Sequence, residues 1–375
     1  MTVAAAVRQF GPAYAARFGA AMPAGHRRAL DDLAACRTAA MGGHVTPCDT
    51  CGVEHVVYHS CRHRRCPSCH GVSTRAWLAA REIALLPVPY FHVVFTLPAE
   101  LRAIVRSHQR VLLGALMQTA AESLQALAAD PHYLGGTVGM LAVLHTWTRT
   151  LGDHPHVHCL VPGGALAPDG VTWHRARGQY LVPVRALSVG FRARFLLRLK
   201  RVLPEVVVPA SVWKTPWVVY AKPTVQGADL VLRYLARYVH RAAITDARIV
   251  RVDATTVTFR YLDARAGAWR TMTLAGEEFL RRFLQQVLPR GFHKVRYYGW
   301  WRPPAVVLRT RLQHQLECPA VSRRRPDSPA ALPITAVTLV RAPCCPHCGT
   351  GHLVRTRRWP RVTAVGTAGT CARPP

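Results

Sequence analysis

Three histidines in the stretch LHTWTRTLGDHPHVHCLVPGGAL, which begins at Leu144, carry the first candidate chemistry. Apolar runs flank a turn signal at Gly152-Asp153, so the segment reads as a β-hairpin. His156 and His158 are two apart on its second strand and share a face. A two-residue turn at Gly152-Asp153 would pair Leu151 with His154 and His145 with Leu160. His145 then falls on the same face, diagonal to His158. Three imidazoles on one sheet face begin a metal site with open positions. Such a site suits Mg²⁺ or Mn²⁺ when phosphate oxygens and water complete the shell. A lone His-x-His more often marks ordinary surface or core histidine, so the rest of the chain has to decide.

Cysteine carries the second. Cys48-x-x-Cys51 and Cys66-x-x-Cys69 are separated by 14 residues. Each pair reads as a knuckle with converging thiolates, and four sulfurs suit tetrahedral Zn²⁺. Cys51-Gly52 and Cys66-Pro67 supply the turns. Cys61 or His63 could displace one of the four. Arg62, Arg64 and Arg65 make the same ribbon a basic surface suited to a DNA backbone. Cys344, Cys345 and Cys348 supply half of a second zinc site, with Cys318 or His352 as candidates to complete it.

The third is a tyrosine pair. Ala228–Ala243 reads as a helix, and Tyr234 and Tyr238 project from one face one turn apart. His240, Arg237 and Arg241 share that helix. Tyrosines at this spacing also suit an amphipathic core.

The balance of charge fits a polyanionic partner. Lys and Arg number 49 against 19 acidic residues, a net +30 over 375 residues. Nucleic acid is the leading partner for such a chain. Half the residues are hydrophobic, so the chain is expected to be globular. No apolar run approaches the ~18–20 residues of a membrane span. Clustered rather than scattered cysteines point to metal binding in a reducing cytoplasm.

The elements that must position these groups follow in order. Residues 1–40 read as an N-terminal helical segment and 41–86 as a zinc-binding ribbon. Residues 87–308 read as the catalytic domain and 309–375 as a basic linker and tail. Tyr90–Leu97 is an aromatic and β-branched strand, with His92 read as a satisfied, half-buried histidine. Pro98–Leu127 reads as one long amphipathic helix. Tyr180–Val184 reads as a short strand, Gly190–Leu203 as a basic helix, and Trp217–Ala221 as a strand reaching Lys222, a candidate phosphate contact. Residues 248–274 read as an antiparallel meander. GFHKVRYYGWW, from Gly291, mixes bases and aromatics as a single-strand stacking surface would, or as a buried cluster would.

In this order the motifs resemble those of insertion-sequence 91 family transposases, rolling-circle enzymes of the HUH endonuclease class. The likeness runs from about His44 to Trp301. It rests on GGHVTPCDTCG, SCRHRRCPSC, LLPVPYFHVVFTLP, the histidine hairpin, VVYAKP, YLARYVHRAAI and RRFLQQVLPRGFHKVRYYGW. The resemblance implies an α+β fold: an antiparallel-sheet HUH palm with flanking helices, preceded by a small zinc ribbon. It implies that His156, Val157 and His158 form the cation-holding strand and that Tyr234 and Tyr238 are nucleophiles. The His145–His156 spacing is similar to that of conjugative relaxases, which makes His145 the third ligand; His240 competes. Arg65 and Ala236 depart from the family pattern, where His and Gly are frequent.

The function implied is metal-dependent nicking and rejoining of single-stranded DNA at element ends and targets, in the cytoplasm at the bacterial nucleoid. A relaxase or replication initiator would use the same chemistry. A non-enzymatic zinc-ribbon regulator would explain the charge and cysteines, but not the histidine face or the tyrosine pair.

Overall fold

The computed structural model describes residues 1–69, 84–178, 180–224, 243–263, 266–317 and 344–361. In chain order these form α1 (Val3–Phe18), α2 (Ala24–Ala35), β1 (Gly43–Pro47), β2 (Glu54–Tyr58) and β3 (Tyr90–Thr96). After them come α3 (Arg102–Ser107), α4 (Gln109–Ala129), β4 (Met140–Trp147), β5 (Asp153–Pro162), β6 (Gly164–Leu166) and β7 (Trp173–Arg175). Next are α5 (Val184–Val202), α6 (Ser211–Lys214), β8 (Val219–Pro223), β9 (Ile249–Val252), β10 (Thr256–Leu262) and β11 (Trp269–Ala275). The series closes with α7 (Gly276–Leu284), β12 (Val295–Tyr298), α8 (Val306–Glu317) and β13 (Arg358–Trp359). The fold is mixed α/β with antiparallel sheets.

A five-stranded sheet, β12-β4-β5-β3-β8, holds the centre, and every pairing in it is antiparallel. Alternation divides its residues between two faces. Val157, Cys159 and Val161 point with Phe91, Val93 and Phe95 into a core closed by α4 and α5. His156, His158 and Leu160 point to the other face. Helix α4 is long and apolar enough to cross a membrane, but its Leu112, Leu116 and Leu124 are fully buried in this core.

A second core joins α1 and α2 to the β9–β11 meander and α7, with Phe10, Phe259, Phe279 and Phe283 at its centre. Cys36, Cys66 and Trp147 belong to it, so the N-terminal helices, a cysteine cluster and the tip of the histidine hairpin are packed together. A third core holds Leu141, Val143 and Leu160 against Trp300, Trp301 and Leu312.

Several expectations are corrected. The hairpin turn is longer than two residues: Thr148 N–H donates to Gly152 O, and Leu151 takes a positive φ of 65°. His145 therefore pairs with His156, and Leu160 with Leu141. The shift is even, so the histidines keep their common face. The expected long helix breaks at His108 (φ −123°, ψ 41°). Tyr180 makes only an isolated bridge to Arg177, and α5 begins at Val184. Trp300 and Trp301 are buried, so the aromatic end of that stretch is core and not a stacking surface. The tail is not separate: β13 pairs with β1, making a three-stranded ribbon β13-β1-β2. Residues 70–83 of the expected ribbon lie outside the described residues.

Candidate functional site

His145, His156 and His158 bring one ligand atom each to within 4.8 Å of one another. The sheet does this directly. His145 lies opposite His156 across β4 and β5, and Val143 lies opposite His158. Ring centroids are 4.6 Å apart for His145–His158 and 4.8 Å for His156–His158. Metal–nitrogen bonds of about 2.1 Å would draw the trio slightly inward.

Tautomers follow from the surroundings. The Nδ1 of His156 lies 2.6 Å from the carbonyl of His154. A carbonyl only accepts, so this Nδ1 carries the proton and Nε2 is left as the nitrogen that could ligate a metal. Burial holds His156 down to about pKa 4, which keeps it neutral and ligand-ready at physiological pH. His92, from β3, places Nε2 2.8 Å from Nδ1 of His158, with the rings stacked at 5.0 Å. It is an outer partner that orients His158. Trp147 stacks on His145 at 4.5 Å, and the guanidinium of Arg65 sits over the same indole at 5.2 Å.

Tyr220 and Lys222 share the histidine face, because β8 pairs Tyr220 with Val94 and Lys222 with His92. Both are exposed; the Lys222 ammonium lies 5.4 Å from the Tyr220 ring centroid. Tyr234, Tyr238, His240, Arg237 and Arg241 lie outside the described residues. Arg62 and Arg64 are exposed, as a DNA-contacting ribbon needs, but Arg65 is 4% exposed and is corrected from the surface set. Its neighbour Cys66 is drawn into the second core and takes Arg65 with it.

The cysteines regroup. Cys48 and Cys51 do not converge with Cys66 and Cys69. They meet Cys345 and Cys348, with Sγ–Sγ distances of 3.7 Å (Cys48–Cys348) and 3.8 Å (Cys51–Cys345). Cys66 and Cys69 meet Cys36, at the end of α2, and Cys61. Cys61 is thus one of a four-sulfur set, and His63 is not. The reason is the strand between: β2 runs antiparallel to β1 and carries the chain away before Cys61.

Both sets fit zinc by their donors: four sulfurs each, approached by backbone N–H groups. The first is built from two equivalent knuckles. Gly52 and Gly349 follow their Cys-x-x-Cys with φ of 69° and 72°, values that favour glycine. Their N–H groups donate to Cys48 O and Cys345 O at 3.1 and 2.9 Å. Gly351 N–H donates to Cys348 Sγ at 3.3 Å and holds that thiol down to about pKa 5. A Cβ on Gly351 would collide with Cys48 Sγ. The signal for this pairing was present in the sequence as a repeated Cys-x-x-Cys-Gly. Cys36 had no spacing signal, because a helix end delivers it.

The chain is similar to known proteins along most of its length. A family described as "Transposase zinc-binding domain" matches residues 6–97, and one described as "Putative transposase" matches residues 139–306. "Putative transposase y4qJ" of Sinorhizobium fredii is 41% identical over 317 residues, covering 80% of this chain and 79% of its own. "Transposase for insertion sequence element IS801" of Pseudomonas savastanoi pv. phaseolicola is 29% identical over 285 residues, covering 72% of this chain and 68% of its own. Among solved structures, a bacterial tRNA(His) guanylyltransferase-like protein in complex with ATP aligns over 58% of this chain and 98% of its own. Its identity of 12% and TM-score of 0.24 carry no argument.

Proposed function

The chain belongs to the insertion-sequence 91 family of transposases, and from that premise we propose that it nicks and rejoins single-stranded DNA at element ends in a rolling-circle mode. The observation that supports this reading is the clustering of His145, His156 and His158 on one sheet face. On this reading the central sheet is an HUH palm, acting in the cytoplasm on nucleoid DNA.

His145, His156 and His158 would hold a divalent cation, Mg²⁺ or Mn²⁺, which would supply positive charge to stabilise the reacting phosphate. His156 would ligate through Nε2, because its Nδ1 is held by His154 O. His92 fixes His158 in the same way. A phenol, Tyr234 or Tyr238, attacks phosphorus in line. The bond from phosphorus to the 3′ oxygen breaks, and a 5′-phosphotyrosine forms. The phenolic proton leaves to solvent, and the departing oxygen gains one to become a 3′-OH. A phenol titrates near ~10, so the cationic surroundings of a +30 chain help it to ionise. The ester energy is kept in the covalent link, so a 3′-OH can reverse the step without ATP. Two phenols four residues apart in sequence would let two strands be held in alternation.

The test uses labelled single-stranded end DNA with Mg²⁺ or Mn²⁺. A tyrosine-linked adduct is expected, absent when Tyr234 and Tyr238 are both Phe. An adduct that persists in the double variant would overturn the assignment. Family membership sets aside a relaxase, an initiator or a simple regulator as the better description.

A further inference from the structure

Beneath the cysteine cluster of Cys36, Cys61, Cys66 and Cys69 lies a cleft of about 270 Å³ whose wall is cationic: Arg28, Arg62, Arg64, Arg65, Arg290 and Lys294. Asp32 is the one carboxylate in that wall, and it is already bound by Arg361 at 3.0 Å. Arg65 is the innermost cation. It is 4% exposed, and its Nη1 is buried with no hydrogen-bond partner among the described residues. Its indole neighbour, Trp147, offers only a π face. A buried donor left without a hydrogen-bond partner is costly. Lys294 stands in the same wall, and burial together with Arg65 and Arg64 holds its ammonium down to about pKa 7. Like charges gathered this closely call for an anion between them.

We propose that this cleft is a phosphate site that takes one phosphodiester group of the bound single strand, with Arg65 and Lys294 as inner donors and the exposed Arg290 at its mouth. The proposal rests on the DNA-processing reading above. Guanidinium geometry suits the oxygens of a phosphate. The site is linked to the histidine cluster through one indole, since Arg65 and His145 both contact Trp147. A phosphate held there anchors the strand at a fixed offset from the reacting one.

The experiment uses the full-length, zinc-loaded chain with two probes. Sodium phosphate against sodium chloride, at matched ionic strength, reads the anion site by thermal melting. A fluorescent oligothymidylate reads strand affinity and its salt dependence. The variants are Lys294→Met, which keeps the volume of the side chain, and Arg290→Gln, an exposed change that leaves the core intact. We expect phosphate to raise the wild-type melting temperature and to do so less in both variants. Oligonucleotide affinity should fall roughly tenfold in Lys294→Met, with the log–log salt slope shallower by about 0.7. Unchanged affinity and slope in both variants would overturn the proposal. Loss of the phosphate effect with strand binding intact would also overturn it, and would assign the cleft to free phosphate. A wild type that binds phosphate through Lys294 yet binds no oligonucleotide would instead sink the DNA-processing reading, and the strand assignment with it.

Discussion

Trp147 lies nearly face to face with His145, with ring centroids 4.5 Å apart at 23°. The contact is not incidental packing. Trp147 belongs to the second core, with Cys66 and Leu151, while His145 belongs to the histidine trio proposed to hold a metal. The stack therefore fixes a proposed ligand against the framework of the second core. Trp147→Phe should keep most of the packing but loosen the ring it supports. Mn²⁺ affinity is expected to drop by about tenfold, the lower end of outer-sphere effects on metal sites. Isothermal titration would detect it, and an unchanged affinity would show that His145 needs no support from the indole.

His92 acts on His158 through one nitrogen. His92→Phe keeps a stacked ring and removes that nitrogen. Mn²⁺ binding and metal-dependent cleavage should fall together by about 10–100-fold, while oligonucleotide binding without metal stays near wild type. Equal loss of DNA binding would indicate a folding defect instead.

Tyr220 separates chemistry from stacking. It is an exposed tyrosine on the histidine face. Tyr220→Phe should form the covalent adduct as wild type does, because the nucleophiles are assigned to Tyr234 and Tyr238. Tyr220→Ala should weaken single-strand binding by about 1–3 kcal/mol, the usual worth of one stacked base. Loss of adduct in the Phe variant would move the nucleophile to Tyr220.

Lys294 makes stability depend on pH. Unfolded, its amine titrates near ~10.4; folded, near about 7. Between those values the unfolded chain holds the extra proton, so folding stability rises as pH increases from 7 to 10. Lys294→Met removes this dependence. It should be more stable than wild type by about 2–3 kcal/mol at pH 7, allowing for solvent access to a half-buried amine. The advantage should shrink toward pH 10, which melting curves across that range would resolve. Saturating phosphate should reduce the difference at pH 7, because an anion restores the charged amine.

Zinc content tests the cysteine grouping. The wild type should carry two equivalents per chain. Cys345→Ser with Cys348→Ser should leave one, and Cys36→Ser with Cys61→Ser should also leave one. In the first double variant the segment around β13 should become open to protease, because that site ties it to β1. Two equivalents retained in that variant would return Cys48 and Cys51 to other partners.

Local pattern made much of this legible. Alternation along β5 placed His156 and His158 on one face, and it survived an error in turn length because a slip of even number preserves parity. The meander followed from periodicity and turn residues. Pairings over long separations were not legible. Cys36 reaches its cluster through the geometry of a helix end, and Cys345 reaches Cys48 through a ribbon pairing that sequence distance conceals. Arg65 misled for a related reason: its type argues for solvent, and only the inward path of Cys66 buries it. The break at His108 overrides a continuous apolar stripe.

The ribbon has a consequence for synthesis. Cys48 and Cys348 stand 300 residues apart, so the knuckle made early must wait for its partner. At ~5–20 residues per second this is roughly 15–60 s of translation. During that interval Cys48 and Cys51 have only half a coordination shell, and β1 lacks one neighbour. A ribosome that stalls before Cys345 and Cys348 would release a polypeptide whose first knuckle is still unfinished, so closure of that ribbon reports that synthesis has passed Cys348.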